Sequence, residues 1–218
     1  MTSLRLTALA VLLATGGVCA QLPDAKQVAQ ERAQAELDAP KLSTVLQIEP
    51  GMTIADVGAG FGSMTVTLAK WIAPGRVYAT DIGDRQLTVI RDYITREGLD
   101  NVTVFKGGQA STNLPDACCD AIFMRHVYHH ITAIEPFNRS LFAALKPGGR
   151  LAIIDFAPLK GSTVPEGVPA NREGHGIPLA IVRAEIAAAG LVPLDTIDQW
   201  PPGDKAPTYF LVSFRKPQ

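Results

Sequence analysis

The glycines and acids in the first third of the chain have the types and spacing of a nucleotide-binding turn. Gly58, Gly60 and Gly62 follow an apolar stretch, and Asp56 stands just before the first of them. Glycine lets the backbone turn sharply and approach a ligand closely. Asp81 follows Gly60 by about 20 residues, where a nucleotide-binding α/β unit places the acid that holds a ribose. The glycines alone would also fit an ordinary strand-to-helix turn, but with both acids the pattern favours a nucleotide-like ligand.

A second group of chemically active residues follows a later apolar stretch. His126, His129 and His130 lie close together there, and Asp155 ends the next apolar run. Histidine titrates near neutrality and can take a proton from a nucleophile, so each is a candidate catalytic residue, and Asp155 is a candidate for orienting an acceptor. The histidines could equally cap the next helix or contact a cofactor without proton transfer. As zinc ligands they lack a convincing third partner, so no metal site is predicted.

The elements that must position these residues alternate between strands and helices, which predicts a mostly parallel sheet covered on both faces. No helix separates the last two strands, so the final one should be antiparallel. The predicted fold is a Rossmann-like, doubly wound α/β domain with a seven-stranded sheet. Strands are predicted at 53–57, 76–81, 102–105, 120–125, 150–156, 192–197 and 208–214, and helices at 63–72, 84–97, 134–145 and 177–189.

A long glycine- and proline-rich loop is predicted between the fifth strand and the last helix. It carries Arg172, Glu173 and His175. Long loops in compact domains are often functional, so this one could form part of a lid over the site. The alternative is a solvated loop.

The N-terminal residues have the features of an export signal. Arg5 precedes a short apolar run, and Val18 and Ala20 fit the cleavage positions before Gln21. We therefore expect residues 1–20 to be a signal peptide, 21–50 a helical segment opening near Pro23 and Asp24, and 51–218 the main domain. Processing would place the protein in the periplasm or outside the cell. A short helix that stays attached, in a cytoplasmic protein, is the alternative.

Composition limits the classes of partner. The 218-residue chain has a formal net charge of −1, which gives no basic footprint for nucleic acid. The apolar N-terminal run is too short to span a bilayer comfortably, so no membrane span is expected after processing. The adjacent Cys118 and Cys119 suit neither a metal site nor a strain-free disulfide. A small-molecule substrate is the expected partner.

Taken together, these motifs resemble those of class I S-adenosylmethionine-dependent methyltransferases. Residues 56–62 resemble the first motif of that family, and Asp81 resembles its ribose-binding acid. Residues 114–122 resemble the approach to its fourth strand, and 145–155 the turn into its fifth. The resemblance covers roughly residues 40–215. It is nearest to the small-molecule methyltransferases that include ubiquinone-biosynthesis and arsenite enzymes.

The resemblance implies S-adenosylmethionine as cofactor and assigns residues to its parts. Asp56 would hold the methionine amino group, and Asp81 both ribose hydroxyls. Many members carry an aspartate after the third strand, where this chain has glutamine, which could accept the same adenine hydrogen bond without charge. The remaining residues predicted to contact the cofactor are Gly58, Ala59, Gly60, Ile82, Gly108, Gln109 and Arg125.

Two other functions stay open at this point. A nicotinamide-dependent oxidoreductase would place its third glycine at position 63, where this chain has Ser63. A non-catalytic binding protein that kept the fold is the other alternative, because an exported enzyme would lack an obvious supply of a cytoplasmic cofactor.

Overall fold

The computed structural model describes residues 25–202 and 209–218. The predicted signal peptide at residues 1–20 and the predicted helix start at Pro23 and Asp24 lie outside the described residues, and both stay predictions. Within the described ranges, no helix is long and apolar enough to cross a membrane.

The elements follow the predicted alternation. The bounds of β1, α2 and β2 are those predicted from the sequence, and the other elements predicted as strands or helices differ from prediction by a few residues at their ends. In chain order they are α1 (Ala25–Leu46), β1 (Thr53–Val57), α2 (Ser63–Ile72), β2 (Arg76–Asp81), α3 (Asp84–Arg96), β3 (Val102–Lys106), β4 (Cys119–Arg125), α4 (Ile134–Ala144), β5 (Leu145–Asp155), α5 (Leu179–Ala188), β6 (Val192–Trp200) and β7 (Tyr209–Arg215). Short 3₁₀ turns lie at Tyr128–His130 and Ala170–Arg172.

The strands form one seven-stranded sheet in the order β3-β2-β1-β4-β5-β7-β6. The pairs from β3 to β5 are parallel, and β7 runs antiparallel to both of its neighbours. The predicted fold class is therefore confirmed, including the antiparallel last strand. Strand β1 leads through α2 to β2 on one side, and β4 lies on its other side. The carboxyl ends of β1 and β4 thus border a crevice at the point where the strand order reverses, which is where such sheets bind ligands.

Apolar side chains cover both faces of the sheet. On one face, α4 and α5 pack over β4 and β5. On the other face, Leu42 and Leu46 of α1 share a core with Ile54 and Phe123 of the central strands. The N-terminal helix is therefore part of the same core, and it continues through Pro40, a residue that a helix usually excludes because it lacks an N–H.

The fold departs from the sequence-based expectation at two points. Strand β5 begins at Leu145 because Leu145 pairs with Cys119 of β4; the Lys-Pro-Gly-Gly segment that follows forms the irregularity, and regular pairing resumes between Ala121 and Arg150. The adjacent residues Cys118 and Cys119 are joined in a disulfide, which the sequence analysis did not expect.

Candidate active site

Asp81, at the end of β2, has a carboxylate that two backbone groups hold in place. The Gly60 N–H donates to Oδ2 at 3.0 Å, and the Gly83 N–H donates to Oδ1 at 2.9 Å. Each carboxylate oxygen keeps further lone pairs for a ligand. The carboxylate is thus oriented at the lip of the crevice before any ligand arrives.

The N–H groups of the glycine turn are largely used within the protein. Gly58 and Ala59 both donate to the Thr80 carbonyl, at 2.8 and 2.9 Å, and Gly62 donates to the Ala59 carbonyl at 2.9 Å. A pyrophosphate-binding turn instead directs such N–H groups at its ligand. The turn therefore suits a ligand that packs against the backbone better than one that brings phosphates.

Gly58 is required at its position for two reasons. Its φ of +77° lies in the left-handed region, and a Cβ built there would stand 2.4 Å from the Val127 side chain. Val127 follows β4, so the turn after β1 packs directly against the segment that carries the histidines. The two groups of residues identified from the sequence are in contact across the crevice.

A cavity of about 280 Å³ lies between the ends of β1, β2 and β3. Asp81 and Ile82 line one side, and Gly108 and Gln109 line another. Thus the residues predicted to contact ribose and adenine surround one space. The predicted residues Gly58 and His130 also line this cavity. Its remaining lining residues were not identified from the sequence: Val57, Thr80, Gly107, Ser111, Thr112, Val127, Ile131, Thr132 and Phe137.

A second cavity, of about 210 Å³, shares Gly58 with the first and contains Asp56 and Arg125. Asp56 is buried and accepts a hydrogen bond from the Thr65 hydroxyl at 2.6 Å. Arg125 lies 3.3 Å from the buried Asp38 of α1. The sequence analysis did not identify Asp38, because nothing in its local pattern shows that α1 reaches this cavity.

Burial raises the pKa of the Asp56 carboxyl to about 7. The Thr65 hydrogen bond and the positive charge of Arg125 oppose the shift, and the negative charge of Asp81 adds to it. Near neutral pH this carboxyl is poised between its two forms. A ligand cation placed beside it would favour the carboxylate.

At alkaline pH, the Asp56→Asn variant is expected to have a higher free energy of unfolding than the wild type. In the unfolded chain the carboxyl ionises near pH 4, whereas in the folded protein it holds its proton to about pH 7. The folded state therefore loses stability as pH rises through this window, by up to about 4 kcal/mol in total. The amide avoids that loss and can still accept the Thr65 hydrogen bond.

Urea unfolding at pH 5 and pH 8 measures this effect. The difference in unfolding free energy between variant and wild type should grow by about 2 kcal/mol or more from the lower to the higher pH. The exposed Asp116, changed to asparagine, is the matched control and should show no such growth. If the difference in unfolding free energy between Asp56→Asn and the wild type did not change with pH, the raised pKa of Asp56 would be contradicted.

His126 is turned away from the crevice. Its ring stacks on Tyr209 with centroids 4.0 Å apart, and its Nε2 is buried without a hydrogen-bond partner among the described residues. Burial and the nearby positive charge of Arg125 lower the pKa of His126 to about 4. It is thus neutral near pH 7 and contributes packing between β4 and β7.

Asp155 does not face the crevice directly, although the sequence suggested that it would. Its fully buried carboxylate lies 2.8 Å from His129 Nδ1 and accepts the His129 backbone N–H at 3.0 Å. Any effect of Asp155 on an acceptor must therefore pass through the His129 ring. The pair is packed at the carboxyl ends of β4 and β5, beside Phe156.

The long loop returns over the histidines and is anchored by a buried arginine. Arg172 is fully buried and makes two hydrogen bonds to Glu185 of α5, at 2.7 and 3.0 Å. Glu185 also accepts from the Tyr128 hydroxyl at 3.0 Å. This part of the loop is therefore fixed, and it carries His175 to the rings of His129 and His130.

Comparison with known proteins agrees with the fold. A family model described as a methyltransferase domain matches residues 55–153. The UbiE ubiquinone/menaquinone biosynthesis C-methyltransferases are similar in sequence: that of Vibrio parahaemolyticus is 32% identical over 110 residues, and that of Ectopseudomonas mendocina is 31% identical over 112. Each match covers 50% of this chain but only 42% and 44% of the relative, so the chain spans less than half of their length.

Solved structures with the same fold superpose on most of the chain. A methyltransferase from Aquifex aeolicus, described as S-adenosylmethionine-dependent, superposes with a TM-score of 0.66 at 28% identity, covering 84% of this chain and 92% of that one. The [4+2]-cyclase SpnF superposes with a TM-score of 0.67 at 19% identity, covering 88% and 83%. Phosphoethanolamine N-methyltransferase 2 of Haemonchus contortus, solved with S-adenosyl-L-methionine, superposes with a TM-score of 0.66 at 16% identity, covering 85% and 53%. The last two, at this identity, show the fold alone.

The sheet order and the carboxylate at the end of β2 define a nucleotide-binding protein of the Rossmann-like class. The family model matches residues 55–153, so this part of the chain is a methyltransferase domain of the S-adenosylmethionine-dependent type. The cofactor of that family is S-adenosylmethionine, and the residues present fit it. The Asp81 carboxylate can accept hydrogen bonds from the two ribose hydroxyls, and the Asp56 carboxylate can pair with an ammonium group. The N–H groups of the glycine turn are bonded within the protein, which suits a ligand without phosphates.

Proposed function

We propose that this protein transfers a methyl group from S-adenosylmethionine to a small-molecule acceptor. The observation that carries the proposal is the Asp81 carboxylate, fixed by the N–H groups of Gly60 and Gly83 at the mouth of the adenosine-sized cavity. The second cavity, with Asp56 and Arg125, adjoins it through Gly58. Their positions suit the two ends of this one cofactor.

The residues of the chain would contribute binding and alignment. S-adenosylmethionine supplies an activated methyl group on a sulfonium, so an in-line transfer needs chiefly a fixed donor and a fixed acceptor. Asp81 would orient the ribose, and Ile82 would cover the adenine. Asp56, once ionised, would hold the ammonium group, and the positive charge of Arg125 favours the ionised form of Asp56.

The acceptor would lie on the side of the crevice where His129 and His130 follow β4. His130 is exposed and lines the cofactor cavity. His129 is held by Asp155, so its Nε2 is the nitrogen left for contact with other groups. The similarity to UbiE proteins, which are named for ubiquinone and menaquinone biosynthesis, favours testing precursors of quinones first.

Calorimetry and a turnover assay test the proposal in two steps. The full chain should bind both S-adenosylmethionine and its demethylated product, and it should move labelled methyl groups onto at least one member of an acceptor panel. Folded protein that binds neither compound would contradict the proposal. Binding of NAD instead would revive the oxidoreductase alternative.

A non-methylating protein with this fold is the second candidate. The [4+2]-cyclase among the structural neighbours shows that the fold also occurs in a protein named for different chemistry. Tight cofactor binding with no methyl transfer across the panel would favour this candidate.

A further inference from the structure

Three imidazole rings from two distant segments meet above the ends of β4 and β5. The ligand atoms that His129, His130 and His175 can offer all lie within 4.8 Å of one another. The ring centroids are 3.9 Å apart for His129 and His130, 4.9 Å for His129 and His175, and 5.5 Å for His130 and His175. This is the one group of potential metal ligands found among residues 25–202 and 209–218.

His129 is oriented as a metal-binding histidine usually is. Its Nδ1 lies 2.8 Å from the Asp155 carboxylate, and Asp155 is fully buried. A ligating histidine typically donates its other ring N–H to such a carboxylate, which fixes the tautomer and strengthens the ligand. In that tautomer the lone pair is on Nε2.

The Nε2 atom of His129 has no partner in the described part of the protein. The side chain is 2% exposed, and Nε2 is buried without a hydrogen bond. A buried polar atom left unpaired typically costs about 1 to 3 kcal/mol. Because the unpaired Nε2 of His129 lies beside two other imidazole rings, its position indicates that a ligand binds there.

Hydrogen bonds within the loop hold both the N–H and the carbonyl of His175. The His175 N–H donates to the Ser162 hydroxyl at 2.7 Å, and the His175 carbonyl accepts from the Leu159 N–H at 2.9 Å. The Arg172 anchor lies three residues before it. Hydrogen bonds of the loop backbone therefore position the third ring, which is partly exposed.

We infer that His129, His130 and His175 bind a divalent transition-metal ion, with Zn²⁺ as the probe of choice. Three imidazoles with an open fourth position are a known zinc arrangement, and imidazole also suits copper, nickel and iron. In a tetrahedral site the nitrogens would stand about 3.3 Å apart, so the exposed His130 ring and the partly exposed His175 ring would have to turn to bring their nitrogens closer. No metal site was predicted from the sequence because the histidines after β4 lack a convincing third ligand nearby in the chain, and His175 is the third ligand.

The ion would stand beside the cofactor cavity, because His130 lines that cavity as well. A metal ion lowers the pKa of a bound hydroxyl group and fixes its direction. The open position would thus take an oxygen or thiol group of an acceptor. Metal binding itself does not depend on the proposed methyl transfer, so either can fail without the other.

Zinc binding to the tag-free, chelator-treated full chain tests the inference. Calorimetry and elemental analysis after dialysis should find about one ion per chain. His175→Gln and His130→Gln should each weaken binding by about 100-fold or more. Co²⁺ should give the visible absorption of a nitrogen-liganded ion in the wild type and lose it in both variants.

His126→Gln is the matched control, because His126 is the remaining histidine of the chain and lies outside the cluster. It should keep wild-type zinc affinity. Circular dichroism and the thermal midpoint of each variant establish that it is folded. A wild type that binds less than about a tenth of an equivalent would overturn the inference. So would equal loss in the His126 variant.

Discussion

Replacing Asp81 with alanine is expected to weaken S-adenosylmethionine binding by about 10² to 10⁴-fold. A carboxylate that accepts hydrogen bonds from both ribose hydroxyls makes two bonds to a charged group, each worth about 1.5 to 3 kcal/mol. The change also leaves the Gly60 and Gly83 N–H groups without their present acceptor. Calorimetry on the purified variant, at a fixed pH, measures the loss.

Asp84→Ala is the matched control for this prediction. Asp84 lies three residues further along, its side chain is 82% exposed, and its only ion pair among the described residues is with the exposed Lys106. Exposed pairs of this kind contribute about 1 kcal/mol or less. Cofactor affinity should therefore stay close to that of the wild type. If Asp81→Ala bound the cofactor as well as this control does, the ribose assignment would be wrong.

Arg172→Met is expected to lower the free energy of unfolding by about 3 to 5 kcal/mol. The guanidinium is fully buried and makes two hydrogen bonds to Glu185. Removing one partner of a buried pair leaves the other charge uncompensated, and that cost is typically of this size. Urea unfolding followed by circular dichroism gives the value.

Two further variants separate the lost pairing from lost packing. Arg172→Met combined with Glu185→Met removes both charges and should recover much of the stability, because apolar replacements of a buried pair are often neutral. Arg139→Met breaks an exposed pair with Glu135 on α4 and should cost less than about 1 kcal/mol. A single Arg172 variant as stable as the Arg139 variant would show that the buried pair is unimportant.

The sequence predicted the sheet, and the positions of Asp56 and Asp81 at its strand ends, because these features depend on local patterns. Apolar runs with glycine and proline turns between them mark strands and helices over a few residues. Asp56 and Asp81 sit next to such turns, so their place at the strand ends follows from the strands themselves. The structure brings both to the crevice, at two adjoining cavities.

The remaining features depend on contacts between distant segments, which a local pattern does not encode. His175 reaches His129 only because Arg172 ties its loop to Glu185 of α5. Asp38 meets Arg125 only because α1 continues through Pro40. Asp155 was expected to act on an acceptor, and its side chain turns inward because the His129 ring and backbone offer it two donors.

The place of β1 in the sheet has a consequence during synthesis. The nascent chain can pair β1 with β2 early, but its other flank must wait for β4, which starts at Cys119. At about 5 to 20 residues per second, that wait lasts several seconds. During this time the edge of β1 that later pairs with β4 has unpaired backbone groups, which other chains can bind. We therefore expect the first half of the domain to become compact only after β4 has been synthesised.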